Sequence, residues 1–135
     1  MSQKTLAILA VDDEKIILES LKIQLERNFN DRFIIDFAEN ADEALEVIDE
    51  LMLENISILL VISDYMMPGM NGEELAKTLK AGMPNINILL LTGHISEDKG
   101  IDLINKNIVL KVMQKPWNEE ALISFINNLT GSVQA

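Results

Sequence analysis

Acidic residues, one threonine and one lysine stand just past four separate apolar runs, and these are the groups in the sequence best suited to chemistry. Asp12 and Asp13 follow Leu6 to Val11, Asp64 follows Ser57 to Ser63, Thr92 follows Ile86 to Leu91, and Lys115 comes shortly after Ile108 to Met113. Carboxylate and carbonyl oxygens are the hard donors that Mg²⁺ takes, and that ion keeps waters to share with phosphate. A carboxylate can also attack phosphorus and form an acyl phosphate. A lysine ammonium can offset charge on the transferring oxygens, and a threonine hydroxyl can donate to one of them. Phosphoryl transfer rests mainly on such positioning and electrostatics. Crowded carboxylates repel, by roughly 4 kcal/mol for two unit charges about 4 Å apart at an effective dielectric near 20. A divalent cation relieves that repulsion.

Each residue taken singly has a plainer account. Asp64 precedes a Pro68-Gly69 turn and could simply end a strand, Lys115 could be a solvated surface lysine, and Thr92 could cap a helix. Four strand ends carrying polar groups of different kinds on one sheet edge make a stronger signal than any one of them.

The elements that must position these groups alternate strand and helix patterns. Leu6 to Val11 is a near-continuous apolar run, as expected of a parallel strand buried on both faces. Ile17, Leu18, Leu21 and Leu25 recur at helical spacing, and Asn28 and Asn30 stop that helix. Phe33, Ile35 and Phe37 alternate as a short second strand. Asn40 is a candidate N-cap for a helix through about Leu53, and Ser57 to Ser63 is the third strand. A shorter helix covers Glu73 to about Ala81, closed by Gly82 and Pro84. Ile86 to Leu91 and Ile108 to Met113 are the fourth and fifth strands, separated by a weak helix from Ser96 to about Lys106. Asn118 begins a last helix carrying Leu122, Phe125, Ile126 and Leu129, and the polar stretch from Asn127 to Ala135 reads as a frayed end or linker. Five such units predict an α/β fold, a doubly wound five-stranded parallel sheet, because parallel strands need crossover connections of one hand. Ligands of such sheets sit beyond the carboxyl ends of the strands.

Composition bounds the function. The chain of 135 residues fits one domain with a core at about 5–129, and its core is aliphatic, with 48% hydrophobic but only 4% aromatic residues. Acidic residues number 22 against 11 basic, a net charge of −11, which argues against direct binding of nucleic acid or an anionic membrane. Cysteine is absent, which excludes disulfides and thiolate chemistry, and no apolar run approaches the roughly 18 residues of a membrane span. The sequence shows neither a signal peptide nor an internal repeat, so a cytoplasmic location is expected.

The sequence resembles the receiver domains of two-component response regulators over Thr5 to Leu129. The resemblance is carried by Val11-Asp12-Asp13-Glu14, by Asp64 with Met67-Pro68-Gly69-Met70-Asn71-Gly72, by Leu91-Thr92-Gly93-His94, and by Lys115-Pro116-Trp117. It implies a flavodoxin-like sheet of strand order 2-1-3-4-5, whose switch point lies beside strand one. It implies that Asp64 accepts a phosphoryl group from a sensor histidine kinase or histidine phosphotransfer protein. Mg²⁺ would be held by Asp13, with Asp12, Asp64 and the Met66 carbonyl in support, while Thr92 and Lys115 would contact the phosphoryl oxygens. The Lys115–Pro116 bond would be cis. The signal would leave by the face of helix four, strand five and helix five toward an output domain or effector, with a homodimer among the assemblies allowed. Such a chain catalyses only its own phosphorylation and dephosphorylation and is not otherwise an enzyme.

The sequence also departs from that pattern. Val112 stands where many receivers carry Tyr or Phe; with one stiff χ1 and no ring it cannot make the aromatic rotamer switch. Gly93 replaces a residue that is commonly Ala and should loosen its loop, and Asn107 replaces a common Gly. Met66, His94 and Val112 are candidate modulators, and Trp117 is expected to anchor the last helix. Three other readings compete. A degenerate receiver acting as an interaction module is one, though no key residue is missing. A haloacid-dehalogenase-type phosphatase wants a second Asp where Met66 stands, and a flavin binder wants a phosphate loop where Asp12-Asp13-Glu14 would repel phosphate. Lys115-Pro116-Trp117-Asn118 also occurs in receivers joined to output domains, which favours a piece of a longer regulator over a stand-alone one.

Overall fold

The apolar runs become the interior of a sheet. The computed structural model describes residues 4–93 and 95–134, with 132–134 as backbone only. Five strands, β1 (Leu6–Val11), β2 (Ile34–Ala38), β3 (Ser57–Ser63), β4 (Ile88–Thr92) and β5 (Lys111–Gln114), alternate with five helices. The helices are α1 (Lys15–Phe29), α2 (Ala41–Leu53), α3 (Gly72–Gly82), α4 (Glu97–Asn105) and α5 (Glu119–Gln134). All the strands pair in parallel in the order β2-β1-β3-β4-β5, as expected.

Successive strand residues face opposite sides, and here both sides are apolar. Ile8, Ala10, Leu60, Ile62, Leu89 and Leu91 pack under α1 and α5 against Leu21, Leu25, Phe29, Leu122 and Ile126. Leu9, Val11, Val61, Ile88 and Leu90 pack on the other side against Ala44 and Ile48 of α2, Leu75 and Leu79 of α3, and Leu103 of α4. Full burial of one such aliphatic side chain is worth about 1.5–3 kcal/mol. The helix starts follow their caps. Asn40 Oδ1 accepts the Glu43 N–H at 2.8 Å, and Asn71 with Glu74 forms a reciprocal capping box at the start of α3. Helix α4 is the thinly packed one, with only Gly100 and Leu103 buried.

Three boundaries differ from the sequence reading by two residues or more. Strand β4 begins at Ile88, because the Ile86 N–H is taken by the Met83 carbonyl in a turn at 3.0 Å. Strand β5 begins at Lys111, because Asn107 turns at φ 58° and the N–H groups of Ile108 and Val109 both donate to the Leu103 carbonyl. These residues help close the end of α4 instead of pairing. Helix α5 runs on to Gln134 where a frayed end was expected. Arg32, lying over the rings of Phe29 and Phe33 at 5.3 and 5.1 Å, donates to Asn127 Oδ1 and to Thr130 Oγ1, which holds that polar segment in place.

Candidate functional site

Three of the strand tips carry their pairing one residue further. The Asp12 N–H donates to the Ala38 carbonyl at 3.1 Å, the Asp64 N–H to the Val11 carbonyl at 3.0 Å, and the Lys115 N–H to the Thr92 carbonyl at 3.2 Å. The strand order sets β1 beside β3, with Val11 opposite Ser63, so Asp12 and Asp64 emerge side by side. Both are buried, at 2% and 3% exposure, and Thr92 at the end of β4 is fully buried.

Lys115 closes the site from the far side. Its Nζ lies 2.7 Å from Asp12 Oδ2, 3.4 Å from Asp64 Oδ2 and 3.4 Å from Glu14 Oε1. Asp64 Oδ1 accepts the Tyr65 N–H at 2.8 Å, and Asp12 Oδ1 accepts the Glu14 N–H at 2.9 Å. Burial pushes the Asp12 carboxyl above its ordinary range and the Asp64 charge adds to the rise, against the opposing pull of Lys115 and the Glu14 N–H. Burial alone would lower Lys115, but Asp12 and Asp64 together hold it above its ordinary value, so the ammonium stays charged. The Lys115–Pro116 peptide is cis, as the resemblance implied. Trp117, expected to anchor the last helix, packs half-buried on the α1–α5 side just before α5, its indole N–H donating to Gln24 Oε1 of α1 at 2.8 Å.

The loop after Asp64 is fixed by two glycines. Gly69 turns at φ +79°. Gly72 donates its N–H to the Tyr65 carbonyl at 2.8 Å, so close that a Cβ there would meet the Asp64 carbonyl oxygen and lie 2.9 Å from Tyr65 Cα. The start of α3 therefore rests directly on the backbone of the Asp64 loop.

Not every expected site residue joins the cluster. Among the described residues, the carboxylates whose oxygens lie within 4.8 Å of one another are those of Asp12, Glu14 and Asp64. Asp13 is exposed on the same turn and stands outside that group. Met66 lies two residues past Asp64 and is 54% exposed. Val112 is half-buried against Gly100 of α4, where a Cβ would sit 3.6 Å from Val112 Cγ2. His94 lies outside the described residues. Glu14 belongs to the cluster although the sequence assigned it no role; its only signal was its place after two aspartates. A cluster of carboxylate oxygens is the donor set that a hard divalent cation such as Mg²⁺ takes, so the residues present fit one.

A doubly wound α/β sheet with paired carboxylates and a lysine at its carboxyl edge defines the class of protein. The profile of the response regulator receiver domain matches residues 8–127, and the chain belongs to that family. YesN of Bacillus subtilis strain 168, described as an uncharacterized transcriptional regulatory protein, is 32% identical over 94% of this chain and 33% of its own length. The transcriptional regulatory protein FixJ of Bradyrhizobium diazoefficiens is 27% identical over 90% of this chain and 55% of its own length. The chain thus spans between a third and about half of these relatives. A response regulator receiver domain protein from Clostridium thermocellum superposes with a TM-score of 0.81 at 29% identity, covering 95% of this chain and 96% of that one. The chain is a receiver domain of the phosphorelay type, and its acidic pocket of Asp12, Glu14 and Asp64 fits a phosphorylation site. Among the described residues no helix is long and apolar enough to cross a membrane.

Proposed function

We propose that Asp64 accepts a phosphoryl group from the phosphohistidine of a sensor histidine kinase or histidine phosphotransfer protein. The observation that carries this reading is the Lys115 ammonium set between the buried carboxylates of Asp12 and Asp64 at one sheet edge. An Asp64 oxygen bonds to phosphorus while the nitrogen–phosphorus bond of the donor breaks, and the imidazole keeps the electron pair. Lys115 offsets charge on the transferring oxygens, and Thr92, at the end of the neighbouring strand, donates its hydroxyl to one of them. Asp13, Asp12, Asp64 and the Met66 carbonyl would hold Mg²⁺, which when bound would supply positive charge against the crowded carboxylates and the phosphoryl oxygens.

The chain catalyses no reaction beyond the gain and loss of its own phosphoryl group. Its setting in this reading is the cytoplasm, and its output is a joined domain or a separate effector protein, with a homodimer as one form the activated chain takes. Beside Lys115 a hollow of about 480 Å³ lined by Ile16, Gln24, Pro116 and Trp117 offers the donor protein a surface. The test is modification by acetyl phosphate, or occupation by beryllofluoride, with Mg²⁺ present. Wild type should respond and Asp64→Asn should not; equal modification of the variant overturns the assignment.

A further inference from the structure

Glu14 occupies the N-cap of α1 without making a side-chain cap. Short polar side chains are preferred there because their oxygen reaches the first free N–H groups. The Glu14 carboxylate points instead to Lys115, at 3.4 Å, and its oxygens lie within 4.8 Å of those of Asp12 and Asp64. Unlike those two buried groups, its side chain is 53% exposed. It therefore stands at the mouth of the site, on the side open to solvent, and shares the cation that a phosphoryl group needs.

We infer that Glu14 is a specificity-determining residue that disfavours phosphodonors of high negative charge. This rests on the reading of Asp64 as the phosphoacceptor. A fixed negative charge a few ångströms from the incoming phosphoryl group opposes each unit of negative charge the donor brings. In near-aqueous surroundings that is worth about fivefold in rate per unit of charge. It also competes with the phosphoryl oxygens for Lys115. A small, highly charged donor meets this charge directly, whereas phosphohistidine arrives as part of a protein surface.

Two small donors separate the effect. Acetyl phosphate carries more negative charge at neutral pH than phosphoramidate. In both reactions an Asp64 oxygen bonds to phosphorus as the P–O bond of acetyl phosphate or the P–N bond of phosphoramidate breaks. Acetate leaves in the first case and, after taking a proton, ammonia in the second. With saturating Mg²⁺, initial rates of Asp64 modification would be followed by mass spectrometry in wild type, Glu14→Gln and Glu14→Lys. Glu14→Gln should raise the rate ratio of acetyl phosphate to phosphoramidate about fivefold and flatten the salt dependence of the acetyl phosphate reaction. Glu14→Lys should move further in the same direction. Both changes are at an exposed site where ion pairs add little stability, so the chain should stay folded. An unchanged ratio overturns the inference, as does an equal fall with both donors, the result for a metal ligand. Modification of Asp64→Asn would instead defeat the phosphoacceptor reading, so the two failures are distinguishable.

Discussion

The Lys115 ammonium is bonded most closely to Asp12, at 2.7 Å, and not to Asp64, which lies at 3.4 Å. In the unmodified chain the lysine thus serves first as counter-ion to a buried carboxylate beside the proposed acceptor. An incoming phosphoryl group has to draw Lys115 toward itself, and the second, longer contact shows that Asp64 is already within its range.

The Asp12 carboxylate should limit stability. Its folded-state pKa lies above the ordinary 3.8, chiefly through burial. The folded chain then binds more protons than the unfolded chain above about that pH, so stability falls as pH rises through the raised value and stays lower at neutral pH. Asp12→Asn keeps the shape and the acceptor for the Glu14 N–H while removing the charge. Without divalent cations it should raise Tm at pH 7, because the charge that burial disfavours is gone while Lys115 keeps Asp64 and Glu14 as partners. The difference should shrink toward pH 4. Melting curves across that range in EDTA would decide it, and a difference that does not vary with pH would count against this account.

Metal affinity should separate the neighbours Asp13 and Glu14. If Asp13 is the principal ligand, its exposed carboxylate has only to turn inward on its own loop. Asp13→Ala should then raise the Mg²⁺ dissociation constant at least about tenfold, the scale of losing a ligand or its close support. Glu14→Gln should change it less than about twofold. Trp117, the one tryptophan, sits two residues past Lys115 and gives a fluorescence readout. The opposite order of effects would make Glu14 the ligand.

Gly72 should be intolerant of a side chain. A Cβ there meets the Asp64 carbonyl oxygen and lies 2.9 Å from Tyr65 Cα and 3.0 Å from Leu90 Cδ2, and two of those atoms are backbone that cannot swing aside. Gly72→Ala should destabilise by about 1–3 kcal/mol and slow modification by acetyl phosphate, because the displaced backbone is that of Asp64. Gly82, at the other end of α3, has nothing within 4 Å of a Cβ, so Gly82→Ala should be neutral or slightly stabilising. Denaturant unfolding of the two variants compares them directly; similar losses would show that the close approach does not matter.

What the sequence made legible follows from how local each cause is. The bounds of α2 and β3 were readable because an Asn cap and an unbroken apolar run act within a few residues. Ile86, Ile108 and Val109 read as strand because an apolar residue packed in a turn carries the same letter as one in a ladder. The last helix read short because its polar end is held by Arg32, on the turn between α1 and β2. The site divides in the same way. Asp12, Asp64, Thr92 and Lys115 announced themselves as polar groups at strand tips. Glu14 did not, because the direction of its side chain depends on Lys115, 101 residues further on.

Helix α4 should carry the response to phosphorylation. Thr92 is buried at the end of β4, and any pull on its hydroxyl displaces the short connection to Glu97, where α4 begins. Val112 packs against Gly100 of α4 and has no ring to swing inward, so the response should appear as loop displacement and altered order of the helix. Little holds α4 in place. Ile101 and Ile104 are 49% and 41% exposed, and the Lys99–Glu73 ion pair, at 2.8 Å, ties its first turn to α3. An element with few buried contacts opens at low free energy. Amide hydrogen exchange with and without beryllofluoride should therefore change most between Thr92 and Lys106, and Thr92→Ala should abolish most of that change. Glu73→Gln should raise exchange across α4 in the unmodified chain about two- to fivefold, the scale of a partly exposed surface ion pair. A largest change on α2 or α3 would mean that the signal leaves through another face.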